Sequence, residues 1–351
     1  LRIDELDLQP PGPGEVLVRI EAAGVCHSDL SVVDGVRPRP VPMLLGHEAA
    51  GQVIERGHGV DDLRVGGRVV LVFLPRCGDC AGCASDGRHP CVPGSKANAA
   101  GELLGGGRRL RAADGGLVHH HLGVSAFATH AVVDRRSVVP VSDDVPAEVA
   151  ALLGCAVLTG GGAVVNAGSV QPGESVAVVG LGGVGLAAVL TAAAVGASAI
   201  IGVDPLPGKR SAAESLGATR TVHPDDVDFT ADCVIEAAGS AAAVRTAIAA
   251  AGPGGRTVLA GLPRAGAQVS FSPLDLIAGG RSIVGSYLGS SVPSRDVPRF
   301  AELWATGRLP VERLVSGRTG LDGLNEALES LADGTALRQL IIPNQHPAQP
   351  S

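Results

Sequence analysis

The stretch "SVAVVGLGGVGLAAVLTAAAVGASAIIGVD", residues 175–204, constrains the fold more than any other part of the chain. Ser175 to Val179 is a short apolar run rich in valine, the pattern of a buried parallel strand. Gly180, Gly182 and Gly185 follow in the order G-x-G-x-x-G, with Gly183 in the same turn. The first glycine permits the tight turn, the second lets backbone approach a pyrophosphate, and the third lets a helix sit close to the strand. An apolar helix then runs towards Gly196, and a second strand, "AIIGVD", ends on Asp204. That acid lies 19 positions after Gly185, where the group binding the adenosine ribose is expected. A carboxylate there repels a 2′-phosphate, so NAD is expected over NADP. The glycines alone are a weak signal, but strand, turn, helix, strand and terminal acid together are specific. Residues 175–203 carry no charge and are long enough to span a bilayer. Their glycines would make a poor membrane helix, so no membrane role is expected.

The second constraint is "PRCGDCAGCASDGRHPC", which holds four of the seven cysteines. The spacing is Cys77-x2-Cys80-x2-Cys83-x7-Cys91. Two-residue gaps let a tight turn aim neighbouring thiolates at one point, with Gly78 and Gly82 supplying a permissive backbone. Four thiolates close a zinc tetrahedron and leave no position for water, so this site is expected to be structural. An iron–sulfur cluster also uses short cysteine gaps, but the spacing fits zinc better. Four free thiols on one loop would be prone to oxidation.

Cys26 ("AAGVCHSDL"), His47 ("LLGHEAAGQV") and Cys155 ("ALLGCAVLTGGG") sit in Gly-flanked contexts far apart in sequence. A lone cysteine or histidine is usually packing or surface. Beside a separate structural zinc loop, these three suggest a site of two thiolates and one imidazole with its fourth position open to substrate, where zinc polarises an alcohol or carbonyl. Asp29 is placed to accept the other ring N–H of His47. Glu48 adjoins His47, and Ser28 offers a hydroxyl for proton transfer or merely a solvated turn. Cys233, in "ADCVIEAAG", reads as a small buried hydrophobe.

Composition sets the outer limits. A length of 351 residues implies two domains, and 45% apolar with 18% charged residues is a globular balance. A net charge of -7 without a long basic run gives no support for nucleic-acid binding. The start, "LRIDELDLQPPGPGEVLVRI", is charged and Pro-rich, unlike a secretory leader. An odd cysteine count points to a reducing compartment, so a cytoplasmic protein is expected.

Taken together, Cys26 with Ser28, "GHEAAG", the four-cysteine loop, "GC" before "TG", and "GLGGVG" resemble the zinc-containing medium-chain alcohol dehydrogenases, over almost the whole length. The match is to the long-loop branch, similar to class III-like and bacterial NAD-dependent enzymes, as the 27 residues between Cys91 and His119 indicate. The resemblance implies an α/β fold: a GroES-like, partly barrel-like β catalytic domain over residues 1–156 and 288–351, with an inserted Rossmann domain over 157–287. It implies two zinc ions per chain, one catalytic on Cys26, His47 and Cys155, with Glu48 as an occasional ligand, and one structural on Cys77, Cys80, Cys83 and Cys91. Ser28 would begin the proton relay, and Thr159 would touch the nicotinamide. His27 and Arg338 would contact the pyrophosphate, while Asp204 and Lys209 would flank the ribose. Phe73, Leu122, Leu262 and Tyr287 would line the substrate pocket, and a homodimer would form through the edge strand in "GRSIVGSYLG".

Three departures stand out. Ser31 occupies the position where the family often ends its relay with histidine. Arg37 falls at the pocket mouth, either as a surface residue or as a contact to a polar substrate group. Only "PDDVDFTA" separates the strand near "TRTVH" from "DCVIEAAG", too little for a crossover helix. "RRLR" in the longer loop reads as a solvated face or as a selector of an anionic thiol adduct, and His119, His120 and His121 invite a weaker metal reading.

The activity expected is hydride transfer between a small alcohol, or its aldehyde or ketone, and NAD. The enzyme alternatives are a thiol-adduct formaldehyde dehydrogenase and a biosynthetic carbonyl or enal reductase. A non-catalytic NAD- or zinc-binding scaffold would have no reason to keep an open zinc site.

Overall fold

In the computed structural model, which describes residues 1–344, parallel strands carry one half of the chain and mainly antiparallel strands the other. The chain divides into two compact units: residues 1–155, 293–301 and 315–351, and residues 156–292 with 302–314.

The second unit is a six-stranded, fully parallel sheet. Its strands run in the order Arg220–Val222, Ala199–Val203, Ser175–Val179, Ala231–Glu236, Ala251–Leu259, Ser282–Gly285. This is the 3-2-1-4-5-6 order of doubly wound dinucleotide folds, with the chain reversing direction across the sheet beside Ser175–Val179. Burial on both faces explains the valine-rich strands: Ala177, Val203 and Val234 are fully buried in one apolar cluster. The uncharged stretch that could pass for a membrane span is a strand, the helix Gly183–Ala194 and a second strand. The expected loss of a crossover helix is seen. Between Arg220–Val222 and Ala231–Glu236 only the 3-10 turn Pro224–Asp226 remains.

In the first unit, a seven-stranded sheet joins both chain ends, because Gln339–Ile341 pairs antiparallel with Glu15–Gly24. Glu15–Gly24 also pairs with Ala49–Arg56 and His130–Asp134, and so forms the spine of that sheet. A smaller four-stranded sheet holds Asp7–Leu8, Leu110–Arg111, Leu117–His120 and Met43–Leu44.

Residues 147–167 are continuously helical, alternating α-helix with two π-helical segments, Leu153–Val157 and Ala163–Ala167. Among the described residues this is the one helical stretch long and apolar enough to cross a membrane, and it is 89% buried, as a core helix is. "RRLR" is not a solvated face, and this corrects the sequence reading. Arg109 holds the buried Glu15 through two bonds of 2.7 and 3.0 Å, and Arg108 pairs with Glu102 at 3.0 Å. Two of its three arginines are therefore tied to acids of their own unit.

Candidate metal centre and dinucleotide turn

Cys26 ends the long strand Glu15–Gly24 and its connection, and caps the short helix His27–Val33. Asp29, in the first turn of that helix, returns its Oδ2 to the Cys26 N–H at 3.0 Å. Its other oxygen accepts the Gly46 N–H at 3.3 Å and lies 3.0 Å from His47 Nδ1. One buried carboxylate thus fixes both Cys26 and His47. Cys155 comes from the π-helical turn Leu153–Val157, a distortion frequent at functional sites. Gly154 beside it is needed for close approach, since a Cβ there would lie 2.3 Å from the Leu71 carbonyl oxygen.

These elements bring the ligand atoms of Cys26, His47 and Cys155 within 4.8 Å of one another, all buried. Tetrahedral zinc with bonds of about 2.1–2.3 Å needs its ligand atoms about 3.6–3.8 Å apart. Cys155 Sγ and His47 Nε2 are 3.5 Å apart, so the residues fit the ion. The hydrogen bond from Cys155, with His47 and Arg338 nearby, holds the Cys26 thiol well below its ordinary pKa despite burial. Burial opposes the charge on His47, but Asp29 raises its pKa well above the usual imidazole value. Burial likewise works to raise the pKa of Asp29, yet His47 and His121 keep it below the usual carboxylate range.

Glu48 is fully buried, and burial lifts its carboxyl to about 7, with Arg338 opposing. Arg338 is 3% exposed, donates to the Val25 carbonyl at 3.0 Å and lies 3.5 Å from Glu48. Phe73 stands edge-on to the His47 ring at a centroid distance of 5.5 Å, and Leu122 is buried in the same unit with φ +53. Ser28 is half-buried and His27 exposed on the short helix. The Ser31 hydroxyl donates to the His27 carbonyl at 2.8 Å, so its one proton is engaged by the helix backbone. Arg37 is half-buried.

The three consecutive histidines do not converge on a common site. His119 meets Arg108, His120 accepts the Arg109 N–H, and His121 lies against Asp29 and His47. The His121 ring stands edge-on to His47 at 5.2 Å, with Nδ1 3.2 Å from Asp29 Oδ1 but off the direction of a good hydrogen bond. Sequence reasoning gave His121 no place at this centre, because nothing in its spacing links it to residues 29 and 47.

The second cluster gathers Cys77, Cys80, Cys83 and Cys91. Cys77 and Cys83 sulfurs are 3.8 Å apart, and Cys80 and Cys91 sulfurs 4.0 Å, again a tetrahedral zinc spacing. Cys80 caps the helix Ala81–Ala84 and Cys91 caps Val92–Ala100, so each sulfur accepts a helix-start N–H. The N–H groups of Val92 and Cys83 bring Cys80 down to about 6, whereas burial pushes Cys91 up to about 12. Gly78 has φ +94, as the turn requires, while a Cβ on Gly82 would sit 2.1 Å from the Pro90 carbonyl.

In the second unit, the turn after Ser175–Val179 shows a separate reason for each glycine. Gly180 has φ +94, and a Cβ on Gly185 would strike the Gly180 carbonyl at 1.9 Å. A Cβ on Gly182 would meet nothing within 4 Å, leaving free space at the helix start, with Gly183 as its first residue. That is the cradle an anionic pyrophosphate needs. Asp204 accepts the Leu181 N–H at 2.8 Å and the Leu206 N–H at 2.9 Å, so the acid is held against the turn. Lys209 is half-buried on the helix Pro207–Ser215, where its neighbour Arg210 donates to the Asp204 carbonyl at 2.8 Å. Thr159 is buried on the helix Leu158–Gly162, whereas Leu262 and Tyr287 are 44% and 39% exposed.

An open centre of two cysteines and a histidine, a closed four-cysteine site and a dinucleotide turn define a zinc-dependent dehydrogenase, an oxidoreductase suited to two zinc ions and a nicotinamide dinucleotide. Residues 12–143 match the alcohol dehydrogenase GroES-like domain, and residues 183–306 match the zinc-binding dehydrogenase family. The chain belongs to the zinc-containing medium-chain alcohol dehydrogenase family. It is 35% identical to an S-(hydroxymethyl)glutathione dehydrogenase of Synechocystis, over 97% of this chain and 96% of that one. Among solved structures, it is similar to an alcohol dehydrogenase zinc-binding domain protein from Burkholderia ambifaria, with TM-score 0.93, 34% identity and coverage of 98% and 95%. Benzyl alcohol dehydrogenase from Acinetobacter calcoaceticus has TM-score 0.90, 33% identity and coverage of 97% and 95%.

Proposed function

We propose that the chain is an NAD-dependent zinc alcohol dehydrogenase that oxidises small free alcohols and reduces the corresponding aldehydes or ketones. The observation that carries this reading is the buried Cys26–His47–Cys155 cluster, which offers three ligands where a closed structural site would offer four. Zinc held there would supply Lewis acidity towards an alcohol or carbonyl oxygen. The protein's own groups have distinct parts. Asp29 fixes the His47 ring, and Phe73 walls the centre on one side. Ser28 would take up the proton released by the alcohol and pass it to solvent, since Ser31 is committed to the helix backbone. Asp204, whose carboxylate accepts the Leu181 N–H of the turn, would face the ribose and favour NAD over NADP by repelling a 2′-phosphate.

A second reading, oxidation of a formaldehyde–thiol adduct, is favoured by the name of the 35% identical relatives. The loop reasoned to recognise an anionic adduct lends it little support, because Arg108 and Arg109 are engaged by Glu102 and Glu15. NAD reduction by a panel of free alcohols, with and without formaldehyde plus glutathione, tests the choice. Turnover of benzyl or aliphatic alcohols without thiol supports the first reading; activity confined to formaldehyde with thiol replaces it by the second.

The seven cysteines are all free, which suits a cytoplasmic enzyme. Homodimerisation is also proposed. The strand Ser282–Gly285 ends the parallel sheet, and Phe271, Leu274 and Ile277 nearby are 48%, 70% and 78% exposed. Light scattering showing a monomer at micromolar concentration would contradict it.

A further inference from the structure

One acid of the second unit has no part in the chemistry described so far, yet it is among the most deeply buried groups of the chain. Glu236 ends the strand Ala231–Glu236 with no exposed surface. Its Oε1 accepts two successive backbone N–H groups, from Ala238 at 2.9 Å and Gly239 at 2.7 Å. Its carbonyl accepts two more, from Ala260 and Gly261, both at 2.9 Å. Glu236 therefore ties together the loops that leave two adjacent strands at their C-terminal ends, the side on which open α/β sheets bind ligands.

The fit around it is close. Oε2 is buried without a hydrogen-bond partner and would lie 2.7 Å from a Cβ on Gly261. Gly239 has φ +69, and a Cβ there would strike the Leu262 backbone at 2.7 Å. The first loop abuts the glycine-rich turn, because a Cβ on Gly180 would lie 2.6 Å from the Ala238 nitrogen. Asp204 holds the same turn from the other neighbouring strand through the Leu181 N–H. Two acids thus bracket the turn. Burying a carboxylate is costly unless hydrogen bonds offset the lost solvation. Here they hold two successive N–H groups of a loop that has already left the sheet.

We propose that Glu236 is a positioning residue for the dinucleotide: its carboxylate sets the loop 237–240 against the glycine-rich turn and so shapes the cofactor site without touching the reacting atoms. This rests on the nicotinamide-cofactor reading. An apolar replacement would release the Ala238 and Gly239 N–H groups, and the loop would relax into the space the cofactor needs.

The test is NADH binding by the zinc-replete protein, followed by fluorescence. Glu236→Ala should raise the Kd for NADH about tenfold or more, about the loss expected from one or two hydrogen bonds to a charged group. Glu236→Gln keeps an acceptor oxygen and should restore most of that affinity. Val234→Ala, in the same strand and equally buried, lowers stability without touching the loop and should leave the Kd unchanged. A Glu236→Ala protein that binds NADH as the wild type does, or a Val234→Ala protein weakened to the same degree, overturns the proposal. Should Glu236→Ala fail to fold, hydrogen exchange on the wild type decides. The Ala238 and Gly239 amides should be protected without cofactor and more so with NADH; exchange at the rate of an unstructured loop overturns it. Wild-type protein that binds neither NADH nor NADPH overturns the cofactor reading itself, a distinct outcome.

Discussion

Asp29→Asn is the perturbation whose consequence can be worked furthest. The carboxylate meets the Cys26 N–H at 3.0 Å, the Gly46 N–H at 3.3 Å and His47 Nδ1 at 3.0 Å, with no exposed surface. Every one of these partners is a donor when His47 offers Nε2 to a metal. A carboxylate accepts from all three, whereas an amide has one oxygen. With that oxygen on His47, the amide NH2 faces the Cys26 N–H. Reversed, it faces Nδ1 and favours the tautomer with the proton on Nε2, which cannot ligate. Either arrangement sets donor against donor in a buried place, at a cost of about 1–3 kcal/mol. Loss of such a partner typically weakens metal binding about 10–100-fold. Competition against a chromophoric chelator, with metal counted per chain, should therefore show one zinc held as in the wild type and a second released about 10–100-fold more readily. The hydrogen bonds of Asp29 reach no residue of the Cys77–Cys91 lobe, so that zinc is the internal control. Two zincs of unchanged affinity in Asp29→Asn would refute the reasoning.

Other outcomes follow from the same geometry. Cys80→Ala removes both a thiolate and the cap of Ala81–Ala84, and should lower stability by more than about 2 kcal/mol in thermal or urea unfolding; an unchanged midpoint would contradict a structural metal there. If Asp204 faces the ribose as proposed, Asp204→Ala should lower the ratio of kcat/KM for NAD to that for NADP at least about tenfold, because the unfavourable charge against a 2′-phosphate is gone. Glu174 is held below its ordinary pKa chiefly by Arg256, which grips it through bonds of 3.0 and 2.5 Å, with burial opposing. A depressed carboxyl contributes stability above its unfolded value, about 4.3, and loses it as pH falls through the folded value. The stability difference between wild type and Arg256→Gln should accordingly be constant above about pH 6 and shrink below about pH 4, down to what the Arg256 bond to the Gly168 carbonyl contributes; a difference that does not shrink at all at low pH would contradict the assignment.

What could be read from the sequence was what neighbours in sequence determine. The glycine turn, the two-residue cysteine gaps and the shortened crossover are local, and each has its reason within a few residues: a φ of +94 at Gly180 and Gly78, a close approach at Gly185 and Gly82. The convergence of Cys26, His47 and Cys155 was suggested by their residue types beside a separate zinc loop and implied by the family resemblance, but no local spacing dictates it, since three distant segments must fold before the ligands meet. His121 was not legible at all. Its place beside Asp29 depends on the register of Leu117–His120 with Met43–Leu44, two short strands with little pattern of their own. "RRLR" was misread for a similar reason. Charge runs usually face solvent, and the partners that draw Arg108 and Arg109 inward, Glu102 and Glu15, include one 94 positions away.

On the proposed function, hydride passes from a free alcohol to NAD. The most direct measurement uses benzyl alcohol carrying two deuterons on the alcohol carbon, NAD and the zinc-replete protein, with the product dinucleotide weighed by mass spectrometry. Reduced dinucleotide carrying one deuterium is expected, and none formed by a Cys26→Ser protein that still binds NADH. Reduced dinucleotide without deuterium, or no reduction of NAD by any free alcohol on protein holding both zincs, would contradict it.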